Sequence, residues 1–287
     1  MRMTIQDVIN IITATVPEAP LEDILGATRD TIKVGDASQT VKGIVTTFIA
    51  TSEVIEKAVE LGANLVITHE PTFYEDKDET DWLEDDPVYQ AKRRLIDENN
   101  VVIWRFHDYW HLHRPDGILT GVLQELGWDN QNEAEIQAHL NTRVESVEDY
   151  IGMARDFTRF NIQPISLLDL AEMFKEKLDI ERVRMVGNPA MICSRIALLV
   201  GMAGGKFPIE MVGRDDIDVL VCGEINEWET SEYVRDALHF YQEKGLLILG
   251  HVNSEESGMK WCADWLRPLL PGMEITHVSA GDPFHFV

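Results

Sequence analysis

The chain has 287 residues, 45% of them hydrophobic, which is enough to build one large packed domain or two modest ones. Its 50 Asp and Glu residues outnumber its 25 Lys and Arg residues, giving a formal net charge of −25. That charge repels phosphate backbones and anionic lipids, so it argues against nucleic-acid and membrane-surface partners.

The first 130 residues alternate apolar β-branched runs with amphipathic segments. In chain order, this pattern predicts helix 5–15, strand 43–50, helix 53–61, strand 65–67, helix 87–98, strand 101–106 and helix 116–127. Asp86 and Pro87 are typical of a helix start, and Gly62 is typical of a helix end. Residues 18–41 are predicted to be irregular.

Residues 131–160 give mixed signals and predict no element. Beyond them, the pattern predicts a helix to residue 178 capped by Ser166, strand 196–200, strand 218–222, helix 228–243, strand 246–249, helix 254–266 and strand 275–278. Strands that alternate with helices in this way predict an α/β fold with largely parallel sheets.

Three apolar strands are each followed by a histidine with a second possible metal donor nearby. The pairs are His69 with Glu70, His107 with His111, and His251 with Glu255. Ligands of open α/β sheets bind at the carboxyl ends of the strands. A spacing of four residues brings both donors of a pair over one strand end, and Ser254 is predicted to cap the helix that carries Glu255.

These six nitrogen and oxygen donors, with no thiolate among them, fit one or two divalent ions such as Zn, Mn, Fe, Ni or Co. A single histidine at a strand end is more often a hydrogen-bonded core or rim residue, so the prediction depends on the repetition. Pro71 excludes the helical HExxH motif of zinc proteases. Residues 201–206 are one residue short of a nucleotide-binding P-loop.

The N-terminus lacks a signal-like apolar run, and no stretch approaches the roughly 20 apolar residues of a membrane-spanning helix. Cys193, Cys222 and Cys262 are far apart and form no CxxC pair. These features predict a cytoplasmic protein with reduced thiols.

The donor segments resemble the NGG-interacting-factor-three-like family, also described as type 2 GTP cyclohydrolase I-like or dinuclear metal-centre proteins. The likeness lies in Thr-His-Glu-Pro at residues 68–71, a strand followed by His at residues 107–111, and Gly-His-x-x-Ser-Glu at residues 250–255. Gly-Glu at residues 223–224 and Asp-Pro-Phe at residues 282–284 also match. Glu70 stands where the family has a second histidine, and His111 stands where it has an aspartate.

The resemblance implies two related α/β lobes, residues 1–130 and 131–287, with a metal cleft between them and no inserted domain. It also implies a ring-shaped homo-hexamer. The activity implied is that of a metal-dependent hydrolase-like protein acting on a small molecule, with a nucleotide such as GTP as a candidate. Glu70 or Glu224 would be the catalytic carboxylate. Two alternatives stay open: a metal-binding or regulatory protein without enzymatic activity, and a degenerate site that holds no metal.

Overall fold

The computed structural model describes residues 3–16, 28–129, 158–285 and 287. The chain divides into two compact units. The first comprises Met1–Gly121 and Gly258–Gly281, and the second comprises Val122–Ser257 and Asp282–Val287. The predicted lobe boundary at residues 130 and 131 lies outside the described residues and stays a prediction. Most of the stretch 131–160, for which no element was predicted, also lies outside the described residues.

The elements are numbered in chain order. The described strands are β1 (Ile32–Val34), β2 (Ile44–Thr47), β3 (Leu65–Thr68), β4 (Val102–Arg105), β5 (Arg159–Ser166), β6 (Arg184–Val186), β7 (Ile192–Ala203), β8 (Val219–Ile225), β9 (Gly245–Ile248) and β10 (Ile275–His277). The described α-helices are α1 (Ile5–Thr13), α2 (Ser52–Glu60), α3 (Pro87–Glu98), α4 (Asp108–Leu112), α5 (Gly117–Leu126), α6 (Leu167–Leu178), α7 (Lys206–Val212), α8 (Glu232–His239) and α9 (His251–Leu269).

The first unit contains a mixed five-stranded sheet in the order β1-β4-β3-β2-β10. Strands β4, β3, β2 and β10 are parallel, and β1 runs antiparallel to β4. Thr68 of β3 pairs with Arg105 of β4, so both strands end at the same edge of the sheet. The residues that follow these two strands therefore emerge side by side.

The core of the first unit forms where helices pack on this sheet. Val66 and Ile103 lie in one buried cluster with Ile55 of α2 and Ile96 of α3. Burial of one such side chain contributes about 1.5–3 kcal/mol. Thr51 caps α2 by accepting a hydrogen bond from the backbone of Val54, as expected for an extended N-cap residue.

The second unit contains a mixed sheet in the order β5-β7-β8-β9-β6. Strands β7, β8 and β9 are parallel, while β5 and β6 are antiparallel edge strands. Leu220 and Leu246 of the central strands pack in a buried cluster with Val212 of α7 and Val234 of α8. Both units thus confirm the predicted α/β class, and each sheet is mixed, with parallel central strands.

Several sequence predictions of element bounds were wrong. Strand β1 lies in a stretch predicted to be irregular, and the edge strands β5 and β6 and the short helix α7 were not predicted. Strand β7 covers 12 residues, although the apolar run predicted only 196–200. The predicted helix 228–243 is a π-helix, Glu227–Ser231, followed by α8.

Helix α9 begins at His251, three residues before the predicted start at Ser254. Ser254 is therefore not an N-cap residue. Its hydroxyl donates to the carbonyl oxygen of His251 (2.8 Å) and accepts from the backbone N–H of Gly201 (2.9 Å). Within the described parts of the chain, no helix combines the length and apolar composition that a membrane crossing needs.

Candidate metal centre

Four predicted donors meet at the carboxyl edge of the first sheet. His69 and Glu70 follow β3, and His107 follows β4 and precedes α4. The backbone N–H of His111 donates to the carbonyl oxygen of His107 (3.0 Å), one helical turn earlier. The spacing of four therefore places His107 and His111 on the same side of this turn, as predicted.

The three imidazoles of this edge form a compact cluster. The ring of His69 stacks on that of His107, with centroids 4.5 Å apart, and the edge of His111 lies 4.9 Å from His69 and 4.8 Å from His107. One nitrogen from each ring lies within 4.8 Å of those of the other two. Three nitrogens at this separation can reach a common ion placed among them.

Each imidazole of the cluster has an oxygen acceptor at Nδ1. His69 Nδ1 lies 3.3 Å from the carbonyl oxygen of Phe106, His107 Nδ1 lies 2.9 Å from Asp108 Oδ1, and His111 Nδ1 lies 2.9 Å from Asp116 Oδ2. A carbonyl or ionised carboxylate can only accept, so Nδ1 carries the proton in each neutral ring. The lone pair for a metal is then at Nε2.

His69 is fully buried, and this burial lowers its pKa well below the usual histidine value. Nearby His107 and His111 lower the pKa of His69 further, because a positive charge on His69 would repel any positive charge on those rings. The ring is consequently neutral at physiological pH. A neutral imidazole is the form that binds a metal ion.

Glu70 adds a carboxylate whose two oxygens face different groups. Its Oε1 lies 3.7 Å from His107 Nε2, and its Oε2 lies 3.3 Å from Arg105 Nη2. Arg105 is buried, donates through Nε to the carbonyl oxygen of His69 (3.0 Å), and donates through Nη1 to the carbonyl oxygen of Asp76. The guanidinium thereby fixes Glu70 and leaves Oε1 on the histidine side.

Sequence reasoning did not identify Arg105, Asp108 or Asp30 as contributors to this edge. Asp30 accepts backbone N–H groups from His107, Asp108 and Tyr109 at 2.8–2.9 Å and so holds the turn that carries the histidines. Burial and the charge of Asp108 raise the pKa of Asp30. Arg105 carried a detectable signal, since it is a charged residue inside an apolar strand.

The Asp108 carboxylate accepts three hydrogen bonds. Its Oδ2 accepts from the backbone N–H of Arg29 (2.7 Å) and from Thr28 Oγ1 (3.1 Å), while Oδ1 accepts from His107. Burial opposes ionisation of Asp108, but the hydrogen bonds from His107 and Arg29 outweigh it and hold its pKa below the usual range. The carboxylate is therefore ionised at any physiological pH.

The second unit holds the remaining predicted donors. His251 Nε2 lies 3.2 Å from Glu255 Oε2, one turn along α9, and His251 Nδ1 lies 3.1 Å from Glu224 Oε2 at the end of β8. The Glu255 side chain is buried, and that of Glu224 is half-exposed. The predicted pairing of His251 with Glu255 is thus found, although Glu255 lies in the second turn of a longer helix.

Gly201 makes room for Glu255, and replacing Gly201 with alanine is expected to lower the free energy of unfolding. Its φ is +70°, and a Cβ would lie 2.3 Å from Glu255 Oε1. Gly62 has a similar φ, +72°, with nothing within 4 Å of its Cβ position. Both substitutions strain the backbone, but only Gly201→Ala adds overpacking, about 1–3 kcal/mol.

Urea denaturation of Gly201→Ala and Gly62→Ala measures this difference directly. Equal losses in the two variants would show that Glu255 moves aside without cost, contrary to the expectation.

The donor set fits a divalent ion. Three imidazoles present Nε2 and one carboxylate presents an oxygen, a combination suited to the first-row transition metals and zinc. The oxygen acceptors at Nδ1 are the outer contacts that metal-binding histidines usually make.

Comparison with known proteins agrees with this fold. A family model described as Duf34/NIF3 (NGG1p interacting factor 3) matches residues 3–282. A Clostridium perfringens protein named GTP cyclohydrolase 1 type 2 homolog is 27% identical over 290 residues, which cover 99% of this chain and 100% of the relative. The Escherichia coli K12 protein of the same name is 24% identical, with 86% of this chain and 88% of the relative covered.

Solved structures establish the fold independently. A Bacillus cereus protein related to NIF3 superimposes with a TM-score of 0.75 at 15% identity, and a Staphylococcus aureus hypothetical protein does so with 0.72 at 18% identity. Both alignments cover 100% of each chain. Since the family model spans nearly the whole sequence, the chain belongs to the Duf34/NIF3 family.

Proposed function

We propose that this protein is a divalent-metal-dependent, hydrolase-like protein that acts on a small molecule, with a nucleotide as the favoured substrate class. The observation that carries the proposal is the cluster of His69, His107 and His111, whose Nδ1 atoms are all engaged by oxygens. With Nδ1 protonated in each ring, the cluster has three Nε2 lone pairs available for a metal.

His69, His107 and His111 bind the metal through Nε2, and Glu70 binds through Oε1. His251 and Glu255 form the second donor pair. One or two ions of Zn, Mn, Fe, Ni or Co suit these donors. When bound, such an ion polarises the substrate and brings the pKa of a water molecule to about 7.

Glu70 and Glu224 are the two candidates for a carboxylate that accepts a proton from the attacking water. The Oε2 atom of Glu70 is held by Arg105, which suits Glu70 to a ligand role. Glu224 is half-exposed and touches His251 Nδ1, so it has both access to solvent and a neighbour that can share a proton. We assign the proton-accepting role to Glu224.

The nucleotide assignment draws on the names of the relatives, which are 23–27% identical to this chain and carry the name GTP cyclohydrolase 1 type 2 homolog. The net charge of −25 opposes a triphosphate, unless bound cations offset it locally. Metal binding would thus be needed for recognition of the substrate as well as for chemistry.

Elemental analysis of protein purified without added metal tests the site. We expect one or two ions per chain, a lower content in His107→Ala/His111→Ala and in His251→Ala/Glu255→Ala, and no change in His239→Ala, an exposed histidine of α8. Absence of metal from the wild type, or wild-type content in both double variants, would refute the assignment.

Turnover is tested separately, on a panel of nucleotides, phosphoesters and amidines. The enzymatic proposal requires product formation that a chelator abolishes and the added ion restores.

Glu70 stands where the family has a histidine, and His111 stands where it has an aspartate. This exchange favours a second candidate function. A site altered in this way suits a metal-binding or regulatory protein that assembles into the homo-hexamer implied by the family resemblance. Bound metal with no turnover on the panel, together with a six-chain mass in light scattering, would support this candidate over the hydrolase.

A further inference from the structure

We propose that Asp108 and Asp116 are positioning residues that fix the tautomer and orientation of His107 and His111, so that both rings present an Nε2 lone pair. This inference deepens the proposed metal-binding function. Neither aspartate contacts the ion in the proposal, and neither was a predicted ligand. The geometry of the two pairs carries it, since each Nδ1 lies 2.9 Å from a carboxylate oxygen.

Asp108 is held in place by contacts other than the one with His107. The backbone N–H of Arg29 and the hydroxyl of Thr28 both donate to Oδ2, which leaves Oδ1 facing His107 Nδ1. The Asp108 side chain is 4% exposed, so water cannot readily replace it as the acceptor. The ring of His107 is consequently held in its orientation by a rigid, buried carboxylate.

Asp116 serves a helix and a histidine at once. Its Oδ1 accepts from the backbone N–H of Leu119 (2.9 Å) at the start of α5, and its Oδ2 accepts from His111 Nδ1. A capping carboxylate has a defined rotamer, because the helix terminus fixes it. His111 therefore takes its orientation from the start of the next helix.

The two roles of each aspartate can be separated by asparagine. An asparagine side chain keeps one oxygen for the backbone donor, Arg29 or Leu119, and asparagine is as good an N-cap as aspartate. Its NH₂ group then faces the imidazole and can only donate. Nδ1 must become the acceptor, so the ring proton moves from Nδ1 to Nε2 with no change in charge. The lone pair needed by a metal is lost.

The test compares Asp108→Asn and Asp116→Asn with Asp86→Asn. Asp86 caps α3 by accepting from the backbone of Val88 and Tyr89, with no imidazole involved. Zinc titration against a competing chelator measures affinity. We expect about 10–100-fold weaker zinc binding in each of the first two variants, the usual effect of losing an outer contact, and unchanged binding in Asp86→Asn.

Nitrogen-15 NMR of the imidazoles in metal-free protein at pH 8 supplies a readout that a purely structural role would not move. We expect the Nδ1–H form of His107 and His111 in the wild type. The Nε2–H form of His107 should appear in Asp108→Asn, and that of His111 in Asp116→Asn.

Wild-type zinc affinity in both variants with unchanged tautomers would overturn the inference. If the wild type bound no zinc, the proposed function would fail, while the NMR arm would still decide whether the aspartates set the tautomers. Should Asp108→Asn fail to fold, Asp116→Asn alone decides the outcome.

Discussion

Replacing Arg105 with methionine is expected to lower the free energy of unfolding by about 3–5 kcal/mol, the usual cost of removing one partner from a buried ion pair. Arg105 is 1% exposed and pairs with Glu70. It also donates to the carbonyl oxygens of His69 and Asp76. Methionine fills much of the same space but donates to none of these groups. Urea denaturation of metal-free protein measures the loss.

Arg93→Met is the matched control. Arg93 pairs with Asp97 at 3.2 Å across one turn of α3, but both side chains reach solvent. A pair of this kind contributes about 0.3–0.5 kcal/mol, so Arg93→Met should be close to neutral. If Arg105→Met cost no more than Arg93→Met, the ion pair with Glu70 would have no structural importance.

The position of the donor cluster was predictable because it follows from strand order. Two apolar runs separated by a helix indicate parallel strands, and parallel strands place their carboxyl ends at one edge. The pairing of Thr68 with Arg105 gives that arrangement, with His69 and His107 emerging side by side. Only the local pattern around each strand was needed for this step.

Apart from Asp108 and Asp116, which lie close to their histidines in sequence, the groups that hold the cluster were not predictable, because their partners come from distant parts of the chain. Asp30 lies 77 residues before His107, and no spacing rule connects them. Arg105 is buried, whereas arginine is almost always exposed unless it is paired, so its burial depends on Glu70 and the carbonyl oxygens nearby. Such contacts depend on the tertiary fold, although the charge of Arg105 inside an apolar strand leaves a trace in the local sequence.

The start of α9 shows how a local rule can mislead. Ser254 followed by Glu255 has the pattern of a helix start and predicts a helix that begins there. In the structure Gly250, with φ of +101°, ends the preceding segment, and the Ser254 hydroxyl instead accepts from Gly201. Gly201 of β7 and Ser254 of α9 are 53 residues apart in the sequence. The role of the Ser254 hydroxyl is therefore set by a contact that is not local.

Raising the pH from 8 to 10.5 is expected to stabilise the protein by about 3 kcal/mol through Lys92 alone, at 1.36 kcal/mol per pH unit. Lys92 is 5% exposed, and its Nζ donates to the carbonyl oxygen of Thr72 (2.6 Å) beside the rings of Phe73 and Tyr74. Burial lowers the pKa of Lys92 to about 8, and the negative charge of Asp78 raises it only in part.

The sign follows from proton binding. Between pH 8 and 10.5 an unfolded chain keeps the Lys92 proton that the folded chain has released, so the unfolded state binds more protons and stability rises with pH. Below pH 8 both states are protonated, and the cost of burying the charge is fully present. Urea denaturation of wild type and Lys92→Met across this range isolates the effect, because all other titrating groups are shared. The wild type should gain about 3 kcal/mol relative to the variant. Parallel pH profiles would mean that Lys92 keeps its charge solvated, contrary to its burial.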